Sequence, residues 1–120
     1  MYYNFNPELN APYNTVHPYQ LKYVNAIADT VFSDRIKYIF LFGGSLELTC
    51  DKYSDLDLYV ITDIEDKESA YKEVADVCRT FKKPYDILVS TIEDYLNNYK
   101  ETGTVEHDIE TKGVCIYAKK

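Results

Sequence analysis

The nine residues SDLDLYVIT, Ser54 to Thr62, constrain this chain more than any other stretch. Side chains of a strand alternate between two faces, so Leu56, Leu58 and Val60 share one face while Asp55, Asp57 and Tyr59 share the other. The apolar face has to be covered by packed helices or by a second sheet. The other face sets two carboxylates side by side, which is an unusual thing to do on a strand that helps to build a core.

The rest of the chain supplies the partners for such a strand. IKYIFLF, Ile36 to Phe42, is an apolar, β-branched and aromatic run closed by Gly43 and Gly44, and it reads as a buried strand. YDILVS, Tyr85 to Ser90, follows Pro84 as a third strand, and VCIYA, Val114 to Ala118, follows Gly113 as a fourth. Helical spacing joins them. Leu21, Val24, Ile27, Ala28 and Val31 predict a first helix from Pro18 to near Ser33. Ala70, Val74, Val77, Cys78 and Phe81 form one stripe of a second helix over Asp66 to Phe81, with Asp66 or Ser69 as its cap. Thr91, with Asp94 three residues on, opens a short third helix to about Tyr99, and TVEHDIETK adds a turn or two of helix before Gly113. The order predicts an α+β, two-layer fold: a small mixed sheet of about four strands with helices packed mainly on one face.

Residues 1–17 lack a clear period and read as an irregular arm, rich in tyrosine and asparagine, that packs on its own domain, touches a partner or pairs subunits in a homo-oligomer; 18–120 form a single domain. With 13 Lys and Arg against 20 Asp and Glu the formal charge is -7, so nonspecific binding of nucleic acid is not expected. Cys50, Cys78 and Cys115 are odd in number and widely spaced, without a C-x-x-C pair, and read as reduced thiols. No basic leader precedes an apolar stretch and no run is long enough to cross a bilayer, so the expected location is the cytoplasm, with no membrane partner. His17 and His107 have no cysteine or acidic cluster around them and are read as surface residues; Asp63 to Glu68 is read as a solvated loop and helix start.

An isolated D-x-D in an acidic protein is most often a solvated strand face. Context argues otherwise here. Asp57 lies inside LDLYVI and Asp86 inside PYDILV, where a lone carboxylate is costly to bury. Carboxylates at i and i+2 repel unless a cation neutralises them, and Mg²⁺ takes one or two protein carboxylates while filling its shell with water and phosphate oxygens. Gly43, Gly44 and Ser45 offer backbone N–H groups, a hydroxyl and the start of a possible helical turn, the equipment that binds phosphate. The combination fits a nucleoside triphosphate held through Mg²⁺.

FGGSLELTCDKYSDLDLYV resembles the signature of the DNA polymerase beta-like nucleotidyltransferase superfamily: an apolar residue, Gly, Gly or Ser, about ten residues, then Asp, apolar, Asp or Glu, apolar. The small size is similar to that of the minimal nucleotidyltransferases of bacteria and archaea. Asp86 in YDILV matches the third acidic residue of that family, and IETKGVCIY resembles the family's Ile-x-x-x-Gly-x-x-x-Tyr ending, so the resemblance runs from about Leu21 to Tyr117. Either Gly43-Gly44 or Gly44-Ser45 satisfies the phosphate-binding part. Leu46 to Thr49, LELT, departs from the family by lacking its arginine and later glycine, a difference that bears on activity more than on fold.

The resemblance implies transfer of a nucleoside monophosphate, most often AMP from ATP, to an acceptor hydroxyl, with two Mg²⁺ ions held by Asp55, Asp57 and Asp86. Members of the family modify aminoglycosides, RNA ends and protein side chains. In the minimal branch the partner is often a HEPN-type ribonuclease toxin, whose tyrosine the antitoxin adenylylates. Two alternatives to a protein-modifying enzyme stay open: a silent module of the same fold that acts by contact alone, and a transferase acting on an antibiotic-type small molecule.

Overall fold

The computed structural model describes residues 18–31, 33–43 and 55–119. The N-terminal arm with His17, the pair Gly44 and Ser45, the LELT segment, Cys50 and the helical turn expected after Ser45 lie outside the described residues.

Among the described residues, four helices and four strands follow in the order α1 (Pro18–Thr30), β1 (Ile36–Leu41), β2 (Leu56–Thr62), α2 (Lys67–Arg79), β3 (Tyr85–Ser90), α3 (Ile92–Asn98), α4 (Val105–Lys112) and β4 (Val114–Ala118), with a 3-10 turn at Ile64–Asp66 before α2. The strands make one mixed sheet in the order β3-β2-β1-β4. β1 runs antiparallel to β2 and to β4, whereas β2 and β3 are parallel. A parallel pair needs a crossover, and α2 provides it.

The alternation read in β2 decides where the helices go. Leu56, Leu58 and Val60 join Ile39 and Leu41 of β1 in the larger core, beneath Val24 and Ile27 of α1 and Val74 and Cys78 of α2. The opposite face buries Phe40, Tyr59 and Ile61 under Tyr95 of α3 and Ile109 of α4. The two long helices therefore lie on one face and the two short ones on the other. The short helices are secured by tyrosines: the Tyr95 hydroxyl donates to the Glu110 carboxylate, and the Tyr59 hydroxyl donates to Glu106 Oε2 at 2.7 Å.

Local chemistry sets the ends. The Thr91 side chain accepts from the Asp94 backbone N–H at 3.2 Å, as the sequence predicts for the start of α3. Thr104 does the same for His107 N–H at 3.1 Å, and His107 Nδ1 lies 3.0 Å from the Tyr99 carbonyl, so this half-buried histidine closes the α3–α4 turn. Asp66 stands at the N-cap of α2, but its side chain makes no capping bond. β1 is one residue shorter than its apolar run and β2 begins after Asp55, although Phe42 N–H still reaches the Asp57 carbonyl at 3.1 Å. α4 passes into β4 through Gly113, where an added Cβ would stand 2.7 Å from the Ile109 carbonyl oxygen.

Cys78 is fully buried in the larger core, and burial pushes its thiol up from an ordinary value of 9.0 to about 11. The unfolded chain releases this proton above about pH 9, whereas the folded chain keeps it until about pH 11. Stability is therefore full below the lower value and falls across this window, by at most about 1.4 kcal/mol per pH unit for one group. Thermal unfolding of Cys78→Ala followed between pH 9 and 11 is expected to show a shallower decline than the unsubstituted chain; equal slopes would rule out the thiol as the cause.

Candidate functional site

Three sheet elements end or begin at one edge of the molecule. β1 finishes there with Phe42 and Gly43, β2 starts there after Asp55, and β3, being parallel to β2, starts beside it after Pro84. The sequence-derived carboxylates are carried to this edge by the strands themselves. Asp57 and Asp86 are direct partners in the β2–β3 register. Partners in a parallel pair present their side chains to the same face, about 5 Å apart. Asp57 is half-buried and Asp86 exposed.

Asp55, exposed, is the residue immediately before β2 and stands two positions from Asp57. Its peptide unit with Leu56 is fixed at both polar ends. Leu56 N–H donates to the Pro84 carbonyl at 3.0 Å, and the Asp55 carbonyl accepts from Gln20 Nε2 of α1 at 3.1 Å.

Gly43 is the member of the Gly43, Gly44 and Ser45 group that falls among the described residues, and it lies against a carboxylate. It adopts φ +64°, and a Cβ built on it would lie 3.2 Å from Asp57 Oδ2. Both the positive φ and the close approach favour glycine. The structure thus brings Gly43, Asp57 and Asp86 together, with Asp55 at the same edge. Two carboxylates from neighbouring strands, beside a backbone stripped of its side chain, fit a hard divalent cation with a phosphate ligand.

Below this edge the same sheet face becomes more closed. Tyr59 is buried two residues beyond Asp57, and its hydroxyl is pushed well above the usual phenol range by burial. A bond from the Ser90 hydroxyl opposes that shift, while the Glu106 and Asp94 carboxylates reinforce it. Tyr59 stays a neutral hydrogen-bond donor to Glu106 through the whole neutral range. Leu88, which alternation places on this face between Asp86 and Ser90, is 39% exposed.

A separate group of carboxylates, Asp63, Glu65 and Asp66, brings oxygens within 4.8 Å of one another. It follows the far end of β2, about 17 Å along the strand from Asp57 at ordinary strand rise. Asp63 there is met by Lys37 Nζ at 3.7 Å, and the group shares no residue with the edge described above.

Sequence reasoning missed Gln20. The signal was present: Gln20, Val24, Ile27 and Val31 follow helical spacing, and a polar residue on an apolar stripe is buried for a reason. Glu106 gave no comparable sign, because Tyr59, which donates to it, lies 47 positions away.

No family model matches the chain, and no curated protein matches it. Among solved structures, the chain is similar to a chain from a mutant form of the toxin-antitoxin MntA-HepT, with a TM-score of 0.50 and 14% identity over 82% of this chain and 73% of that one. A second crystal structure of the toxin-antitoxin MntA-HepT gives a TM-score of 0.46 at 16% identity, covering 84% of this chain and 71% of that one. At the identity of the first match the likeness is one of fold: the α+β arrangement of a four-stranded mixed sheet with packed helices. Among the described residues, no helix is long and apolar enough to cross a membrane.

Proposed function

We propose that this protein is a Mg²⁺-dependent nucleotidyltransferase that moves AMP from ATP to a hydroxyl of a partner protein. The observation that carries the reading is the opposition of Asp57 and Asp86 on adjacent parallel strands, with the Gly43 backbone against the Asp57 carboxylate. Like charges set opposite each other on one sheet face favour a bound cation, and here they lie at the edge where a glycine lets the β1 backbone come close to one of the carboxylates.

Asp55, Asp57 and Asp86 are the residues that would hold two Mg²⁺ ions. When bound, these ions supply charge neutralisation of the triphosphate and a lowered pKa for the acceptor hydroxyl. Gly43, with Gly44 and Ser45 as its sequence neighbours, is assigned to the phosphates. In the transfer, a bond forms between the acceptor oxygen and the α-phosphorus as the bond to the bridging oxygen of the β-phosphate breaks. Pyrophosphate leaves, and Asp86, exposed at the strand edge, is placed to accept the hydroxyl proton.

A protein acceptor is favoured over RNA by the charge of -7 and supported by the likeness to a chain of a toxin-antitoxin pair; the family resemblance of the sequence suggests a HEPN-type toxin as the partner class. The exposed Leu88 on the face that carries Asp86 is a suitable contact for a protein segment delivering a tyrosine. Incubation with Mg²⁺ and labelled ATP, with and without the protein encoded beside it, tests the reading. Label is expected on a tyrosine of the neighbour and is expected to vanish with Asp55→Asn and Asp57→Asn. Tight partner binding with no label transferred, unchanged by those substitutions, would instead establish action by contact alone.

A further inference from the structure

We infer that Gln20 is a positioning residue for the metal site: its side-chain amide sets the orientation of Asp55, and with it the affinity for divalent metal. The inference rests on the reading of Asp55 and Asp57 as metal ligands and goes beyond it, because Gln20 lies on α1, 35 positions from Asp55, and touches neither metal nor nucleotide in that reading.

The argument starts from the β1–β2 ladder. Phe40 pairs with Tyr59, Leu41 with Leu58, and Phe42 N–H donates to the Asp57 carbonyl. The next β2 carbonyl facing β1 belongs to Asp55, where β1 has already ended. A trans peptide directs its C=O and N–H to opposite sides. Leu56 N–H points to β3 and finds the Pro84 carbonyl, so the Asp55 carbonyl points away from β3. Gln20 Nε2 meets it at 3.1 Å. A side chain from α1 thus holds the carbonyl of the residue that precedes β2, at the peptide where the first candidate ligand meets the sheet.

Burial gives this bond consequence. Gln20 is 0% exposed and its bond to the carbonyl of the exposed Asp55 is partly buried, so losing the donor costs the carbonyl part of its desolvation penalty. With both ends of the peptide held, rotation about ψ of Asp55 is restricted, which limits the directions in which its side chain leaves the strand beside Asp57. Groups bonded directly to a metal ligand typically change metal affinity by about 10–100-fold when removed, and Gln20, which holds the ligand's peptide and not its carboxylate, is expected at the low end.

Mn²⁺ alone, titrated into the full chain and followed by electron paramagnetic resonance, tests the inference without any need for turnover. Gln20→Met keeps length and packing but removes the donor. It is expected to raise the Mn²⁺ dissociation constant about tenfold at a temperature well below its unfolding midpoint, with unchanged far-ultraviolet circular dichroism. A role confined to stability would lower the midpoint and leave the dissociation constant where it was. Gln20→Asn, which keeps the amide but loses one methylene of reach, provides a second comparison should Gln20→Met fail to fold, and is expected to weaken Mn²⁺ binding in the same direction. A folded variant of either kind that binds Mn²⁺ as tightly as the unsubstituted chain overturns the inference. If Asp55→Asn also leaves binding unchanged, or if the unsubstituted chain binds no Mn²⁺, the metal reading itself is wrong and the role of Gln20 falls with it; Asp55→Asn weakened with Gln20→Met unaffected rejects Gln20 alone.

Discussion

Asp57→Asn is expected to reduce AMP transfer by about three orders of magnitude while leaving the metal-free protein as stable as before, or slightly more so. The substitution keeps the shape of the side chain and removes its charge. A ligand that supports metal-based charge stabilisation accounts for several kcal/mol of the barrier, and about 4 kcal/mol corresponds to a thousandfold in rate. Without metal the sign reverses. Asp57 faces Asp86 across the parallel pair, and like charges directly opposite cost roughly 0.2–1 kcal/mol. Unfolding in the presence of a chelator is therefore expected to show a midpoint equal to or above that of the unsubstituted chain, while the labelling assay shows transfer at background. Opposite movements of stability and activity are the mark of a site held against its own repulsion. A variant that transfers label normally, or one that loses stability in chelator by more than about 1 kcal/mol, would show Asp57 to be a structural residue.

Gly113→Ala is expected to have the largest effect on folding, destabilising the protein by about 2–3 kcal/mol. The backbone angle is not the cause, since Gly113 has φ -64°, which any residue adopts. The cause is contact. Its N–H donates to the Ile109 carbonyl at 2.8 Å, and an added Cβ would meet that oxygen at 2.7 Å and the Ile109 Cα at 3.0 Å. Those neighbours are backbone atoms of α4, which is bonded through Glu106 and Glu110 to Tyr59 and Tyr95 and has little freedom to move aside. Chemical denaturation reads the change directly, and the thermal midpoint is expected to fall by roughly 10 °C for a domain of this size. A change within about 0.5 kcal/mol, the range of neutral surface substitutions, would mean that α4 repositions without cost.

The same contact explains part of what the sequence made legible. The Ile-x-x-x-Gly-x-x-x-Tyr pattern is visible as a motif, and its Ile–Gly spacing is that of a helical carbonyl and the N–H four residues later. β3 and β4 were readable to the residue because Pro84 and Gly113 punctuate short apolar runs, and the start of α3 because Thr91 caps it. Asp86 stood out as a carboxylate inside an apolar run, but it is exposed, so the burial cost that drew attention to it does not apply, and its pairing with Asp57 is what gives it interest. Less of the site's support was legible. Periodicity identifies which residues turn inward but not which distant group they meet, so the Gln20 bond to Asp55 and the Tyr59 bond to Glu106 appear only once the sheet order is known. The parallel pairing that sets Asp57 against Asp86 likewise has no local signature, since either direction of β3 satisfies the same apolar run.

That parallel pairing also fixes when the candidate site comes into being. The antiparallel partners β1 and β2 meet without any later part of the chain, bringing Gly43 to Asp57, but Asp86 reaches them only after the chain has travelled back through α2 and docked it on the sheet. Closing that crossover is among the slower kinds of pairing, because the entropy of the intervening loop is lost before the contacts compensate for it. During refolding, protection of the β1–β2 amides is thus expected ahead of divalent-metal binding. Metal capture would report completion of the β2–α2–β3 unit, and a nascent chain ending before Pro84 would carry two of the three carboxylates with no site to use them.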